Sequence, residues 1–177
     1  MKNPLPFENQ LSHFEVVQHW PAQLCELSSK TAYNRLVQLP ARIGLITLAC
    51  RDVERMTRLL RDLGWPETPE SDEHHRTFQC TNGVVIALYA ASHYEPELGP
   101  VAQGFRGVTL SVNLASFAEC VAVYESLTRI DGVELLEEPS EYFWGGGFSW
   151  KDPEGNIWDV AWAKGTVIDD RGGVTFP

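Results

Sequence analysis

The 177-residue sequence is short of basic side chains: 14 Lys and Arg stand against 24 Asp and Glu, a formal net charge of −10. That balance disfavours the phosphates of nucleic acid and the anionic surface of a membrane, so neither is expected as a partner. Long hydrophobic runs are also missing. The longest, Gly83 to Ala91, has the length of a strand and falls far short of the ~20 residues that span a bilayer. Met1 to Gln10 hold no apolar stretch of the signal-peptide type, and no secretory signal is expected. Cysteine is scarce, with Cys25, Cys50, Cys80 and Cys120 only, and no two of them form C-x-x-C. This excludes a zinc knuckle and a thioredoxin-like motif. Cys50 and Cys120 lie inside apolar patterns and read as reduced core thiols, which makes the cytoplasm the expected location. H-E-x-x-H, G-x-S-x-G and P-loop motifs are all absent. At 44% hydrophobic and 21% charged residues, what remains is an ordinary globular chain, one domain or two small fused modules.

The first forty residues differ from the rest. Pro4, Pro6, Pro21 and Pro40 punctuate them, and Leu24, Leu27, Tyr33, Leu36 and Val37 recur at loosely helical spacing. The spacing predicts a helix over 22–39 within an N-terminal helical extension, residues 1–41. Beyond it, Ile43 to Cys50 is a β-branched apolar run that reads as a strand. Asp52 is a candidate N-cap. Val53, Met56, Leu59, Leu60 and Leu63 form one face of a helix closed by Gly64. Thr77–Cys80 and Val84–Ala90 read as strands joined by a Thr81-Asn82-Gly83 turn, with a weak strand between Trp65 and Asp72.

The series then recurs. Gly107–Leu114 reads as a strand. Ser116 and Glu119 form a capping box in which Glu119 returns to the Ser116 amide. Phe117, Cys120, Val123, Tyr124 and Leu127 line the next helix. Val133–Leu136, Phe148–Trp150 and Asn156–Ala163 follow as strands, with an Asp152-Pro153-Glu154-Gly155 turn before the last. Thr47-Leu48 matches Thr109-Leu110 at a separation of 62 residues, and Gly83 matches Gly155 at 72. The expected fold is therefore α+β: two β-α-β-β-β modules in one chain, forming a concave pseudo-twofold sheet, with the N-terminal helical extension in front. The main domain covers 42–177, with modules of about 42–91 and 105–164.

Three segments resemble the vicinal oxygen chelate superfamily, which groups glyoxalase I, bleomycin-resistance proteins and extradiol dioxygenases. They are Leu45 to Val53, Gly107 to Asn113, and Lys151-Asp152-Pro153-Glu154-Gly155-Asn156-Ile157-Trp158-Asp159-Val160. Phe143-Trp144-Gly145-Gly146 and Asp169 to Gly173 look like an uncharacterised glyoxalase-like branch. The resemblance covers about residues 42 to 177 and implies one divalent metal in a pocket between the halves. Its ligands would be a His or Gln on each first strand and a Glu on each last strand. Carried over, those positions are Leu45, Ala87, Gly107 and Asp159. Only Asp159 has a donor side chain, so no metal and no cofactor are expected there.

Strand alternation predicts what faces the pocket. Leu45, Thr47 and Ala49 share one face with Val85, Ala87 and Tyr89; Gly107, Thr109 and Ser111 share one with Ile157, Asp159 and Ala161. The expected ligand-binding residues are Thr47, Tyr89, Thr109, Ser111, Trp144 and Asp159, with Asp159 the candidate acid, base or ligand anchor. Thr47, Tyr89, Thr109 and Asp159 are expected on one concave face. Tyr142 to Phe148 is expected to be a glycine loop that closes over a ligand through Trp144 while Phe143 covers the core. Glu73-His74-His75 reads as a solvated loop, since adjacent histidines in extended chain point apart and chelate poorly; His93 reads as a loop residue.

The leading expectation is a small-molecule binding protein that works without a metal and takes an aromatic or cationic ligand. One alternative is a metal-dependent lyase or dioxygenase with relocated ligands, recruiting His74, His75 or His93. Another is a partner-binding module that uses the N-terminal arm. A homodimer fits any of these, and a filled, functionless sheet interface is the remaining reading of the same face.

Overall fold

Alternation of apolar and small side chains drives β1 (Leu45–Cys50), and Asp52 then opens α1 (Val53–Asp62) by accepting the Arg55 amide at 2.8 Å. Met56, Leu59 and Leu60 form the buried face of α1. Gly64 follows in the left-handed region, φ 78°, where a residue without Cβ meets no penalty. The chain continues through β2 (His75–Gln79), β3 (Val85–Ala90) and α2 (Ala91–Leu98). The second series is β4 (Thr109–Asn113), α3 (Phe117–Leu127), β5 (Glu134–Leu135), β6 (Ser140–Tyr142), β7 (Gly145–Lys151) and β8 (Ile157–Ala163), and β9 (Val167–Ile168) and β10 (Val174–Thr175) close the chain. This computed structural model describes residues 40–176; the helix expected over 22–39 lies outside the described residues.

The fold is α+β with two β-α-β-β-β series, the weak strand of the first reduced to one bridge, Glu67 to Phe78, and the second carrying the short β6 as an extra strand. Strand pairing runs within each series. The first sheet has the order β1-β3-β2, and the second β4-β8-β7-β5 with β6 on β7. In both, the first and last strands of the module pair in parallel, with Thr47 opposite Ala87 and Ser111 opposite Asp159. Those pairs correct the repeat. With Ala87 matched to Asp159, the counterpart of Thr47 is Ser111, two residues beyond Thr109, and the counterpart of Leu45 is Thr109, not Gly107. Gly107 has φ 81° and precedes the strand. A two-residue slip preserves parity, so the same faces remain in register.

Three local expectations also change. Ser116 does accept the Glu119 amide, but Glu119 returns to the amide of Ala115 rather than that of Ser116. Gly145, Gly146 and Gly147 are strand residues of β7, not a closing loop. A Cβ on Gly147 would stand 2.1 Å from the Val160 carbonyl oxygen, so only glycine allows this approach of β7 to β8. Phe143, expected to cover the core, sits at the β6–β7 turn and is 92% exposed.

The core joins the helix-bearing sides of both sheets. Met56, Leu60, Phe78 and Leu88 from the first series belong to one buried cluster with Cys120, Phe148, Trp158 and Val160 from the second. Trp65 meets Trp158 edge to face at 5.7 Å, and Trp158 stacks on Trp150 at 5.5 Å. Beneath them, the buried Asp152 carboxylate accepts hydrogen bonds from the amides of Glu154 and Asn156, the Asn156 side chain and the Trp158 indole, at 2.8–2.9 Å. The turn before β8 therefore folds around one carboxylate that also fixes the core tryptophan. Glu154, nearly buried beside it, accepts the Asp52 amide at 2.8 Å and pairs with Arg51 at 3.6 Å, tying the second series to the head of α1.

Candidate functional site on the open face of the second sheet

With Trp158, Val160, Phe148 and Trp150 turned to the core, alternation leaves Ile157, Asp159 and Ala161 on the opposite side, beside Thr109, Ser111 and Asn113 of β4 and Gly147, Ser149 and Lys151 of β7. The strand register arranges these into rows. One row runs Thr109, Ile157, Lys151, Glu134, and ends in a Lys151–Glu134 ion pair of 2.6 Å. The next runs Ser111, Asp159, Ser149. Then come Asn113, Ala161, Gly147 and Ser140, a floor without large side chains, and beyond it Ala163, Gly145 and Tyr142. Trp144 stacks on Tyr142 with centroids 5.5 Å apart and planes at 11°.

Asp159 is held on both sides. The Ser149 hydroxyl donates to Oδ1 at 2.8 Å and the Ser111 hydroxyl to Oδ2 at 3.3 Å. Each hydroxyl has one proton and spends it on the carboxylate, so what the row offers outward is lone pairs alone. The row therefore suits a ligand that supplies donors or a positive charge.

Of the six residues expected to bind a ligand, the structure brings Ser111 and Asp159 into contact, sets Thr109 one row away, and places Trp144 past the glycine floor. Thr47 and Tyr89 lie on the first sheet. Thr47 sits in the row Thr47, Ala87, Thr77; Tyr89 sits in a cluster with His75, His93 and Tyr94, at ring spacings of 5.0–5.6 Å. Among the described residues no hydrogen bond joins these two groups. Sequence reasoning missed Ser149, although alternation along β7 puts it on the Asp159 side. An open cleft of about 820 Å³ adjoins this face at the Lys151–Glu134 end, lined also by Arg51, Arg55 and Glu154 among others, and by none of the six.

A model of the glyoxalase/bleomycin resistance protein/dioxygenase superfamily matches residues 42–160. The chain belongs to this superfamily. Solved structures agree on the fold. A glyoxalase-related enzyme from Fulvimarina pelagi superposes with a TM-score of 0.69 at 25% identity, covering 77% of this chain and 99% of its own. A glyoxalase/bleomycin resistance protein/dioxygenase from Nocardioides gives 0.61 at 23% identity, over 73% and 89%. A lactoylglutathione lyase from Agrobacterium tumefaciens gives 0.56 at 15%, over 71% and 96%. No curated protein matches the sequence.

The superfamily's metal position can be tested against the side chains present. In the corrected register it falls on Leu45, Ala87, Thr109 and Asp159. Leu45 and Ala87 have no donor atom, Thr109 has a neutral hydroxyl, and both Asp159 oxygens already accept serine protons. This set does not fit a divalent cation that needs several N or O ligands. Among the described residues, no helix is long and apolar enough to cross a membrane.

Proposed function

We propose that this member of the superfamily binds a small, cationic, partly aromatic molecule on the open face of the second sheet, without a metal at the family position. The observation that carries the reading is the Ser111–Asp159–Ser149 row, in which both hydroxyl protons point to the carboxylate and leave only acceptors for a ligand. An ammonium or amidinium group would answer Asp159. The molecule's flat portion would cross the Ala161–Gly147 floor and meet the Tyr142–Trp144 stack. Asp159 and Ala163 are four residues apart on β8, so the two contacts are ~13 Å apart at ~3.3 Å per residue. The acidic charge of the chain favours the same ligand sign.

We also propose that a second copy packs against the open face of the first sheet, which the 52% exposure of Leu45 supports. We also propose a cytoplasmic location, which the free thiols Cys50, Cys80 and Cys120 support.

The test is a thermal-shift screen of cationic aromatic compounds, followed by titration of the hits. Asp159→Asn should weaken a hit at least about tenfold, as expected for losing a charge-assisted hydrogen bond. Trp144→Ala should weaken it severalfold, in line with ~1 kcal/mol for stacking. A hit that binds both variants as tightly as the parent would place the ligand elsewhere and end this assignment.

A further inference from the structure

The open cleft beside the Lys151–Glu134 pair has the reverse chemistry of the Asp159 row. Its volume, about 820 Å³, is that of a small-molecule site. Its walls are the head of α1, Gln103–Gly104, Gly132–Glu134 and the Lys151–Gly155 turn. The chain carries a net charge of −10 and only 14 basic side chains, yet Arg51, Arg55 and Lys151 all line this one cleft.

Carboxylates line the cleft too, and each is already engaged. Asp152 is buried, and both its oxygens are taken: Oδ1 by the amides of Glu154 and Asn156, Oδ2 by the Asn156 side chain and the Trp158 indole. Glu154 is nearly buried; its Oε1 accepts the Asp52 amide and its Oε2 faces Arg51. Behind the same turn, Arg106 donates to the Glu154 carbonyl and to Asn156 Oδ1, both at 2.9 Å. Asp52 Oδ1 accepts the Arg55 amide, and Glu134 Oε1 takes one Lys151 proton at 2.6 Å. The donors are less committed. Arg51 gives Nη2 to the Val101 carbonyl at 2.7 Å and makes only a long contact, 3.6 Å, with Glu154. Lys151 keeps protons beyond the one on Glu134. Among the described residues the Arg55 guanidinium has no hydrogen bond and no ion pair; only its amide is used. The cleft therefore presents N–H groups where the Asp159 row presents lone pairs. A guanidinium fork matches a carboxylate or phosphate through two parallel bonds, and an ammonium beside it adds a point charge.

We infer that this cleft binds a small molecule through a multiply charged oxyanion, carboxylate or phosphate, held by Arg55 with Arg51 and Lys151, and that it does so independently of the Asp159 face. The probes are citrate and pyrophosphate, titrated calorimetrically into the full chain at low salt; citrate reads the carboxylate source and pyrophosphate the phosphate source. The expected result is one site for at least one probe, with affinity falling as sodium chloride is raised. Arg55→Gln is the decisive variant, because no described side-chain bond depends on that guanidinium, and it should weaken binding at least about fivefold. Glu134→Gln should tighten binding, since it releases Lys151 from its ion pair, and a gain of this kind cannot come from a damaged fold. Arg58→Gln removes an exposed charge of α1 that does not line the cleft, and it should bind as the parent does, as should Asp159→Asn. No binding of either probe at about 10 mM would overturn the assignment. So would an unaffected Arg55→Gln, or equal losses in Arg55→Gln and Arg58→Gln. None of these outcomes depends on the small-molecule reading of the second sheet.

Discussion

The two sheets share strand order, parity and parallel pairing, yet corresponding rows are furnished differently. Where the second sheet has Ser111, Asp159 and Ser149, the first has Thr47, Ala87 and Thr77. Where the second has the bare floor of Ala161 and Gly147, the first has Tyr89 and His75, packed ring to ring. In the first sheet Ala87 is fully buried and Thr77 nearly so, with the Thr77 hydroxyl bonded to that of Thr68. One half has closed over its middle row and filled the next; the other has kept a carboxylate and cleared space beside it. The repeated frame is common to both halves, and a handful of side chains give the two open faces their different chemistry.

Exchanging the middle residues should break the comparison most severely. Ala87→Asp would place a carboxylate at a site with no exposure, at a cost of about 4 kcal/mol, because an unpaired buried charge loses its hydration. Asp159→Ala should change stability by less than about 1 kcal/mol, since the carboxylate is half-exposed and its serines return to water. Urea unfolding of both variants reads the contrast, and equal losses would show that the two rows are not differently buried. Filling the floor sharpens the point. Ala161→Phe gives the second sheet the bulk that Tyr89 gives the first, and should weaken a ligand hit at least about tenfold by titration while the melt is retained. Unchanged affinity would mean that nothing crosses the floor.

The smallest effect concerns acid. At Glu67 of the first series, burial pushes the carboxyl up, but hydrogen bonds from Arg61 and Ser71 and the charges of Arg61 and Arg76 outweigh it and hold the group below the usual range. A lowered folded value means that Glu67 adds stability above the ordinary carboxylate range and loses it as pH falls through the lowered value. Glu67→Gln should therefore be less stable than the parent at pH 7, with the gap in urea midpoint closing as pH falls through that value. A gap constant with pH would assign the effect to packing.

Much of this frame could be read from the sequence because alternation and helix caps are local. Asp52 and Gly64 bracket α1, and the parity of β1, β3 and β8 put Asp159 on the face away from the core. What escaped was set by distant backbone. The slip at Thr109 arose because Gly107 extends an apolar pattern but turns the chain with positive φ. β6 was missed because Ser140-Glu141-Tyr142 has no apolar alternation and is held by pairing to glycines. α2 has neither a capping side chain nor a buried stripe, and Pro96 interrupts it. Ser149 stood on the correct face, but its role depends on the β7–β8 register, which brings its hydroxyl to Asp159.

The bond from the Asp52 amide to Glu154 joins residues 102 positions apart. During synthesis the head of α1 emerges long before the turn that will accept its amide. The face of the first half that receives Trp158 is in the same position, because Trp65 waits for a partner 93 residues downstream. Closing so wide a loop is a late and slow event for a folding chain. The amino-terminal half therefore leaves the ribosome as an unfinished object, with the Asp52 amide unanswered and a tryptophan exposed, and both find their partners only near the end of the second half.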